Sequence, residues 1–340
     1  MHLTIKIDEK KILSLIEEKN ASRVAFNAPD GLLGATRELA SKLENEYRGL
    51  KAIVIADQTY GSCDTVDLDA QRLRADIAFH IGHNVTVPTF GKITYSIDAF
   101  DDVRFDQVIK KASLAFRNAG IGKIGLVTYA QHLHELQNAV NLFAKEGIQS
   151  YVGKGLGQLH DGQIFGCEFY PAFNLKDKVD AMVLLGQSMF HAIGLALSTS
   201  KFSFMLDPYS NEVIDVQKVA DERLKRSILS IYKASDAENF GVIIGLREGQ
   251  IMTDQSMRIK DKLESLGKKA ELLALREITS DRLNALYDIE AFVQTGCPRI
   301  SVDGYTFTKP VLSVPEAEAL VDLLSGKELR TDLFVRKNWL

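Results

Sequence analysis

Cysteine is scarce: 340 residues hold three, Cys63, Cys167 and Cys297. An odd count without a C-x-x-C pair argues against a disulfide framework and against the usual paired-cysteine zinc site. Long apolar runs are missing too. None reaches the roughly 18 consecutive residues that span a bilayer. The opening stretch Met1-His2-Leu3-Thr4-Ile5-Lys6 lacks the apolar core of a secretion signal. Basic excess is absent: the formal net charge is −4 and lysines are spread along the chain. Nucleic acid and anionic membrane are therefore poor candidates for the main partner. No P-loop is present, and no G-x-G-x-x-G opens a helix after a strand. G-x-S-x-G, H-E-x-x-H and C-x-x-x-C-x-x-C are likewise missing. These absences predict a cytoplasmic protein without membrane spans, direct nucleic-acid contacts or a common nucleotide-binding loop.

Apolar residues make up 46% of the chain and charged residues 25%, as in ordinary globular proteins. The length suits two or three domains. Short apolar runs alternate with longer amphipathic stretches, which predicts parallel sheets covered by helices. The alternation occurs three times. In the first third, helix Ile7–Lys19 leads to strand Ser22–Ala28, a helix capped by Asp30, strand Ala52–Ala56, helix Val66–Arg74, strand Ile77–Ile81 and a fourth strand over Gly91–Ile97. In the second, helix Asp106–Asn118, strand Lys123–Thr128, helix His132–Glu146 and strand Ile148–Val152 precede strand Ala181–Leu185, helix Ile193–Ser198 and strand Ser203–Leu206. In the third, helix Val216–Ser235 is followed by strand Phe240–Gly245, helix Thr253–Leu266, strand Lys269–Leu275, helix Ser280–Ala285 and strand Ala291–Gln294. Val311-Leu312 and helix Pro315–Leu324 complete it. The expected fold is α/β, with three similar domains over 1–105, 106–215 and 216–340. Each would be a small parallel sheet flanked by helices, the three arranged around a central site.

Each expected domain carries one cysteine on a glycine-containing loop at a strand end, where ligands collect in open parallel sheets. Three thiolates suit an iron–sulfur cluster, zinc or copper(I). Zinc would need a fourth ligand, with His83 or His191 available. On a four-iron cluster, three cysteines leave one iron free to bind a substrate. The plainer alternative is three buried thiols acting as small hydrophobes. Other polar residues fall on the same loops: Gln131-His132, Gly186-Gln187-Ser188 with His191, and Asp207-Pro208. Turn chemistry and helix capping are the better account of any one of them taken singly. Arg299 could fork onto a carboxylate, balance cluster charge or make an ordinary pair. His80, set among apolar neighbours, reads as a core histidine.

At these residues the sequence resembles a known family. Tyr60-Gly61-Ser62-Cys63-Asp64, Gln131-His132 with His134, Gly162 to Cys167, Phe190 to Ala196 and Cys297-Pro298-Arg299-Ile300 are similar to motifs of the archaeal diphthamide-biosynthesis enzymes, the 2-(3-amino-3-carboxypropyl)histidine synthases. The resemblance implies a homodimer and a [4Fe–4S] cluster on Cys63, Cys167 and Cys297 with one open iron. S-adenosylmethionine would be the cosubstrate and an external electron donor the reductant. The reduced cluster would cleave the Cγ–S bond, release 5′-methylthioadenosine and pass a 3-amino-3-carboxypropyl radical to C2 of a histidine in translation elongation factor 2. Loop position suggests Gly186, Gln187, Ser188, His191, Asp207 and Arg299 for the S-adenosylmethionine pocket. A quinolinate-synthase-like Lewis-acid dehydratase and a non-enzymatic cluster or zinc redox sensor are the competing readings.

Overall fold

The computed structural model describes residues 5–83, 93–303 and 307–340, which pack as two compact units. The first comprises the chain up to Arg104 with Ala130–His134 and Arg247–Gly249. The second comprises Phe105–Tyr129, Glu135–Leu246 and Gln250–Leu340.

In the first unit the order is β1 (Ile5–Ile7), α1 (Glu9–Glu18), β2 (Arg23–Asn27), α2 (Asp30–Glu46), β3 (Lys51–Val54), α3 (Asp67–Arg72), β4 (Ile77–Ile81), β5 (Thr94–Ile97) and β6 (Ala99–Asp101). Strands β3-β2-β4-β5 form a parallel sheet. Side chains alternate across it, so Phe26 and Phe79 pack with Ile12 and Ile16 of α1 and Leu39 and Leu43 of α2. Ala25 and Ala78 turn the other way, onto Val66 and Ala70. With both faces covered, all five residues of β4 are buried. Helix α1 starts later than expected because Ile5–Ile7 pairs antiparallel with β6 and Asp8 caps the helix, accepting from the Lys11 N–H at 3.1 Å. Asp30 is the first residue of α2 rather than its cap, a place taken by Pro29. Of the expected fourth strand, Gly91 and Lys92 lie outside the described residues, as do Met1–Thr4, Asn84 and Pro88.

The second unit opens with α4 (Asp106–Asn118), β7 (Lys123–Thr128), α5 (Leu136–Lys145), β8 (Gln149–Val152), α6 (Tyr170–Phe173), β9 (Ala181–Leu185), α7 (Met189–Thr199), β10 (Ser203–Asp207) and β11 (Glu212–Asp215). A 3-10 turn over Ala130–Glu135 stands where a helix was expected to begin at His132. The sheet runs β8-β7-β9-β10-β11, parallel except for β11. There follow α8 (Gln217–Ser235), β12 (Asn239–Gly245), α9 (Thr253–Ser265), β13 (Lys269–Leu275), α10 (Ser280–Asn284), β14 (Ala291–Gln294), α11 (Pro298–Val302), β15 (Val311–Leu312) and α12 (Val314–Leu324). These strands form the parallel sheet β13-β12-β14-β15. One apolar core holds Val127 and Leu184 of the first of these sheets together with Phe240 and Leu312 of the second. Helix α8 packs on α7 and on α12, so the two sheets belong to one unit.

The three sheets repeat one plan. In each, the second, first, third and fourth parallel strands of the segment stand side by side in that order. Each also repeats a clasp that the sequence did not announce. The acidic residue just before the third strand accepts two backbone N–H groups at the start of the first. Asp76 takes Ser22 (2.7 Å) and Arg23 (2.8 Å), Asp180 takes Gly122 (2.9 Å) and Lys123 (2.8 Å), and Glu290 takes Glu238 (2.6 Å) and Asn239 (3.0 Å). These hydrogen bonds to the charged form pull all three carboxyls below their ordinary range. Asp180→Ala leaves two strand-start N–H groups to water. It is expected to lower stability by about 1 kcal/mol, read as an earlier urea midpoint with an unchanged m-value.

Candidate functional site

All three cysteines lie at carboxyl edges of the sheets: Cys63 on the loop after β3, Cys167 on the long loop after β8, and Cys297 after β14 as the residue preceding α11. Each is half-buried. Each has its backbone carbonyl fixed by a donor from elsewhere. Cys63 O accepts from Gly249 N at 2.7 Å and Cys167 O from Trp339 N at 3.1 Å. Cys297 is held at both ends of its peptide by one amide: its N–H donates to Gln294 Oε1 (3.0 Å), and Gln294 Nε2 donates to its carbonyl (2.8 Å).

In the first unit, Asn27 closes β2 beside the Cys63 loop. Its Nδ2 donates to the carbonyl of Asp64 at 3.3 Å, and its Oδ1 meets His80 Nδ1 at 3.1 Å. His80 Nε2 in turn meets His83 Nδ1 at 2.7 Å, with the two rings stacked. His80 is thus the hydrogen-bonded core histidine expected, and His83 is its partner. Gln131 donates to Gly82 O at 2.6 Å, His132 is buried near Asp101, and His134 leans on Phe100. Burial pushes His80 well down, with His83 adding to the effect. It takes His83 to about 4 and His132 to about 4, the latter against the pull of Asp101.

In the second unit, Gly186 ends β9 with φ +144°, a conformation reserved for glycine, and a Cβ there would lie 2.5 Å from the Tyr129 ring. The Tyr129 hydroxyl accepts from Gln187 N at 3.1 Å, and its ring stacks on His191 at 5.0 Å. Ser188 Oγ meets His191 Nδ1 at 2.8 Å. Gly186, Gln187, Ser188 and His191 are therefore brought together around Tyr129, at the start of α7. Asp207 ends the neighbouring strand β10, where Gly186 N donates to Leu206 O at 3.1 Å, and its carboxylate accepts from Tyr209 N and Ser210 N in the β10–β11 turn.

Arg299 is 3% exposed. Its fork is engaged by Asp303 one helical turn on, and Nη2 also donates to Phe190 O at 2.5 Å. The guanidinium lies 3.9 Å from the Phe190 ring centre and 5.7 Å from that of Trp339. Its Nη1 is buried without a hydrogen-bond partner. Burial lowers Arg299 and raises Asp303, while each holds the other charged; the Cys297 and Cys167 thiolates also favour the guanidinium cation. One buried cation thus faces two of the three cysteines. The tail completes this region. Phe169 N donates to Lys337 O at 2.8 Å, Glu168 bridges Asn338, and Trp339, packed on Phe169 and Phe334, donates to Phe334 O.

Of the histidines named as zinc ligands, His83 Nδ1 meets His80 and His191 Nδ1 meets Ser188. Among the described residues, no three His, Cys, Asp or Glu side chains are gathered so as to hold a single metal ion. Sequence reasoning missed Gly249, Gln294, Tyr129 and Trp339. Gln294 and Tyr129 sit at the carboxyl ends of strands already in hand, so the rule that located the cysteines applies to them. Nothing in the tail marked Trp339 as a neighbour of Cys167.

Acid should weaken the first unit. His132 has a depressed pKa in the fold, so between about pH 6.5 and 4 the unfolded chain binds the extra proton. Stability is full above that window and is lost as pH falls through it. Going from pH 7 to 4.5 should cost about 2 to 3 kcal/mol at His132. His132→Gln should show a correspondingly shallower acid loss in urea titrations; an equal loss in both proteins would contradict this.

The family model described as "Putative diphthamide synthesis protein" matches residues 28–329. The 2-(3-amino-3-carboxypropyl)histidine synthase of Pyrococcus horikoshii is 30% identical over 94% of this chain and 91% of its own. Subunit 1 of the Nematostella vectensis enzyme of that name is 32% identical over 94% of this chain and 68% of its own. The structure of Dph2 from Pyrococcus horikoshii with a 4Fe-4S cluster superposes with a TM-score of 0.83 and 29% identity, covering 98% of this chain and 94% of that one. With that span of sequence and fold in common, the chain belongs to the diphthamide synthesis protein family.

Proposed function

We propose that this protein is a 2-(3-amino-3-carboxypropyl)histidine synthase, the enzyme of the first step of diphthamide biosynthesis. It transfers the 3-amino-3-carboxypropyl group of S-adenosylmethionine to C2 of a histidine in elongation factor 2 and releases 5′-methylthioadenosine. The observation that carries this reading is that every cysteine of a chain so similar to that enzyme lies on a strand-end loop with its carbonyl tied down. Cytoplasmic location, a homodimer, an external electron donor and three domains over 1–105, 106–215 and 216–340 complete the proposal.

Cys63, Cys167 and Cys297 are proposed to hold a [4Fe–4S] cluster. Thiolates are the usual cluster donors. A cluster on four thiolates would saturate its irons, whereas this chain has three cysteines. Arg299 Nη1, buried and unpartnered beside Cys167 and Cys297, is a donor suited to an anionic group. When bound and reduced, such a cluster would supply the electron for breaking the Cγ–S bond of S-adenosylmethionine.

The protein's own part is placement. Which of three S–C bonds breaks depends on alignment, so the pocket must hold the cosubstrate in one pose. Gly186, Gln187, Ser188 and His191 are proposed as its contacts. The first turn of α7 offers N–H groups to a carboxylate, and Tyr129 fixes the Gly186-Gln187 peptide. Arg299 contributes Nη1 and the cation that Asp303 keeps in place, while Asp207 is retained by its own turn. The aromatic ring of Phe190 and the buried Trp339 limit water around Arg299.

Anaerobically reconstituted protein, reduced with dithionite, is expected to convert S-adenosylmethionine to 5′-methylthioadenosine. Formation of 5′-deoxyadenosine, or no cleavage, would overturn the assignment. Alanine at Cys63, Cys167 or Cys297 should remove both stable iron binding and turnover; a full cluster in any of the three variants takes that residue out of the ligand set.

A further inference from the structure

The stretch after β12 does not stay with the sheet that precedes it. Arg247-Glu248-Gly249 belongs to the first unit, and all three residues take hold of the Cys63 loop. Arg247 forms a buried ion pair with Asp64, the residue after the cysteine, and its Nη1 also donates to Gln58 O at 3.1 Å. Its guanidinium lies 4.4 Å from the ring centre of Tyr60. Glu248 accepts from Thr65 Oγ1 at 2.7 Å and from Leu68 N at 2.8 Å, so one carboxylate ties the end of the loop to the first turn of α3. Gly249 donates its N–H to the Cys63 carbonyl at 2.7 Å.

The approach is tight enough to require glycine. A Cβ on residue 249 would lie 2.5 Å from Cys63 O and 2.7 Å from Cys63 Cα. Both contacts are backbone, which does not swing away as a side-chain tip does. The loop meets the clasp with contacts of its own: Asp64 accepts from Tyr60 N at 3.1 Å, and Asp64 N donates to Gly61 O at 2.9 Å. Asp64 thereby links the tyrosine before the cysteine, the cysteine's neighbour peptide and Arg247 in one buried network. Arg247, Glu248 and Asp64 are each 7% exposed. Buried charges of this kind persist where partners satisfy them, and here every partner lies within six residues of Cys63.

We propose that Arg247, Glu248 and Gly249 are positioning residues that set the place and the electrostatic surroundings of the Cys63 thiolate. None touches the reacting atoms; they act through the loop. The proposal rests on the reading of Cys63 as a cluster ligand for its consequence in turnover, although the clasp itself is a property of the protein without the cluster. Gly249 sets where the cysteine backbone lies. Arg247 neutralises Asp64, whose charge would otherwise bear on an anionic cluster, and Glu248 keeps the loop's exit fixed on α3.

Two measurements on the full chain test this. In metal-free protein, the alkylation rates of Cys63, Cys167 and Cys297 are followed residue by residue with iodoacetamide and mass spectrometry. Gly249→Ala is expected to speed Cys63 about tenfold by loosening its loop, with Cys167 and Cys297 unchanged. The unchanged pair shows that the variant is folded. In reconstituted protein, Gly249→Ala and Arg247→Gln should hold about half the wild-type iron or less. The cluster that remains should give an altered electron paramagnetic resonance signal and, for Arg247→Gln, a more negative midpoint potential. Arg247→Lys, which keeps the charge, should restore the potential. An unchanged Cys63 rate in Gly249→Ala, or a wild-type signal and potential in Arg247→Gln, overturns the proposal. Should wild-type protein bind no iron, the enzyme assignment fails, and the alkylation rates alone decide the clasp.

Discussion

A thiolate is only as well placed as the backbone that carries it, and cysteine's short side chain leaves little room for correction. Here each cysteine peptide is tied by hydrogen bonds at its carbonyl. The donors differ in kind: the backbone of Gly249, the backbone of Trp339 and the side-chain amide of Gln294. They also differ in distance along the chain. Gln294 is three residues from its cysteine, whereas Gly249 and Trp339 come from far downstream. Ligand loops at sheet edges are naturally the mobile parts of an α/β fold. Pinning them lets irregular backbone hold a fixed ligand geometry, which is what an assembled cluster requires of its protein.

The sheets below these loops are built to one pattern. Their shared strand order and the repeated carboxylate of Asp76, Asp180 and Glu290 tie the first strand to the third in every case. Those two strands flank the point where strand order reverses, the place where ligands collect in open parallel sheets. Asn27 and His80 are the last pair of these strands in the first sheet, Thr128 and Leu185 in the second, and Ile243 and Gln294 in the third. The clasp acts at the amino ends of the strands and the cysteine loops lie at the opposite edge. A common scaffold thus carries different loops.

How much of this could be read from the sequence depended on how local the physics was. Buried runs such as Ile77–Ile81 and Ala181–Leu185 declared themselves as strands, because a parallel strand covered on both faces is apolar throughout. Amphipathic helices such as Asp106–Asn118 were equally plain, with Val108, Ile109, Ala112 and Phe116 on one side. Placing the three cysteines at strand ends needed nothing more. The short edge strands β1, β6 and β11 escaped because pairing, not composition, defines them. Arg299 was read as a fork for a carboxylate, a balance for cluster charge or an ordinary pair, and its fork is closed by Asp303, a helical pair visible only once Pro298–Val302 is known to be helical. Arg247 and Trp339 were illegible: their contacts with Asp64 and Cys167 span more than 150 residues, and no periodicity carries such a contact.

The proposed chemistry requires three cysteine-bound irons and one that the protein leaves open. Mössbauer spectroscopy of protein reconstituted with ⁵⁷Fe, with and without S-adenosylmethionine, tests it most directly. The expected result is one iron site distinct from the rest that alone shifts when S-adenosylmethionine is added. Four equivalent sites, or a spectrum indifferent to S-adenosylmethionine, would contradict it.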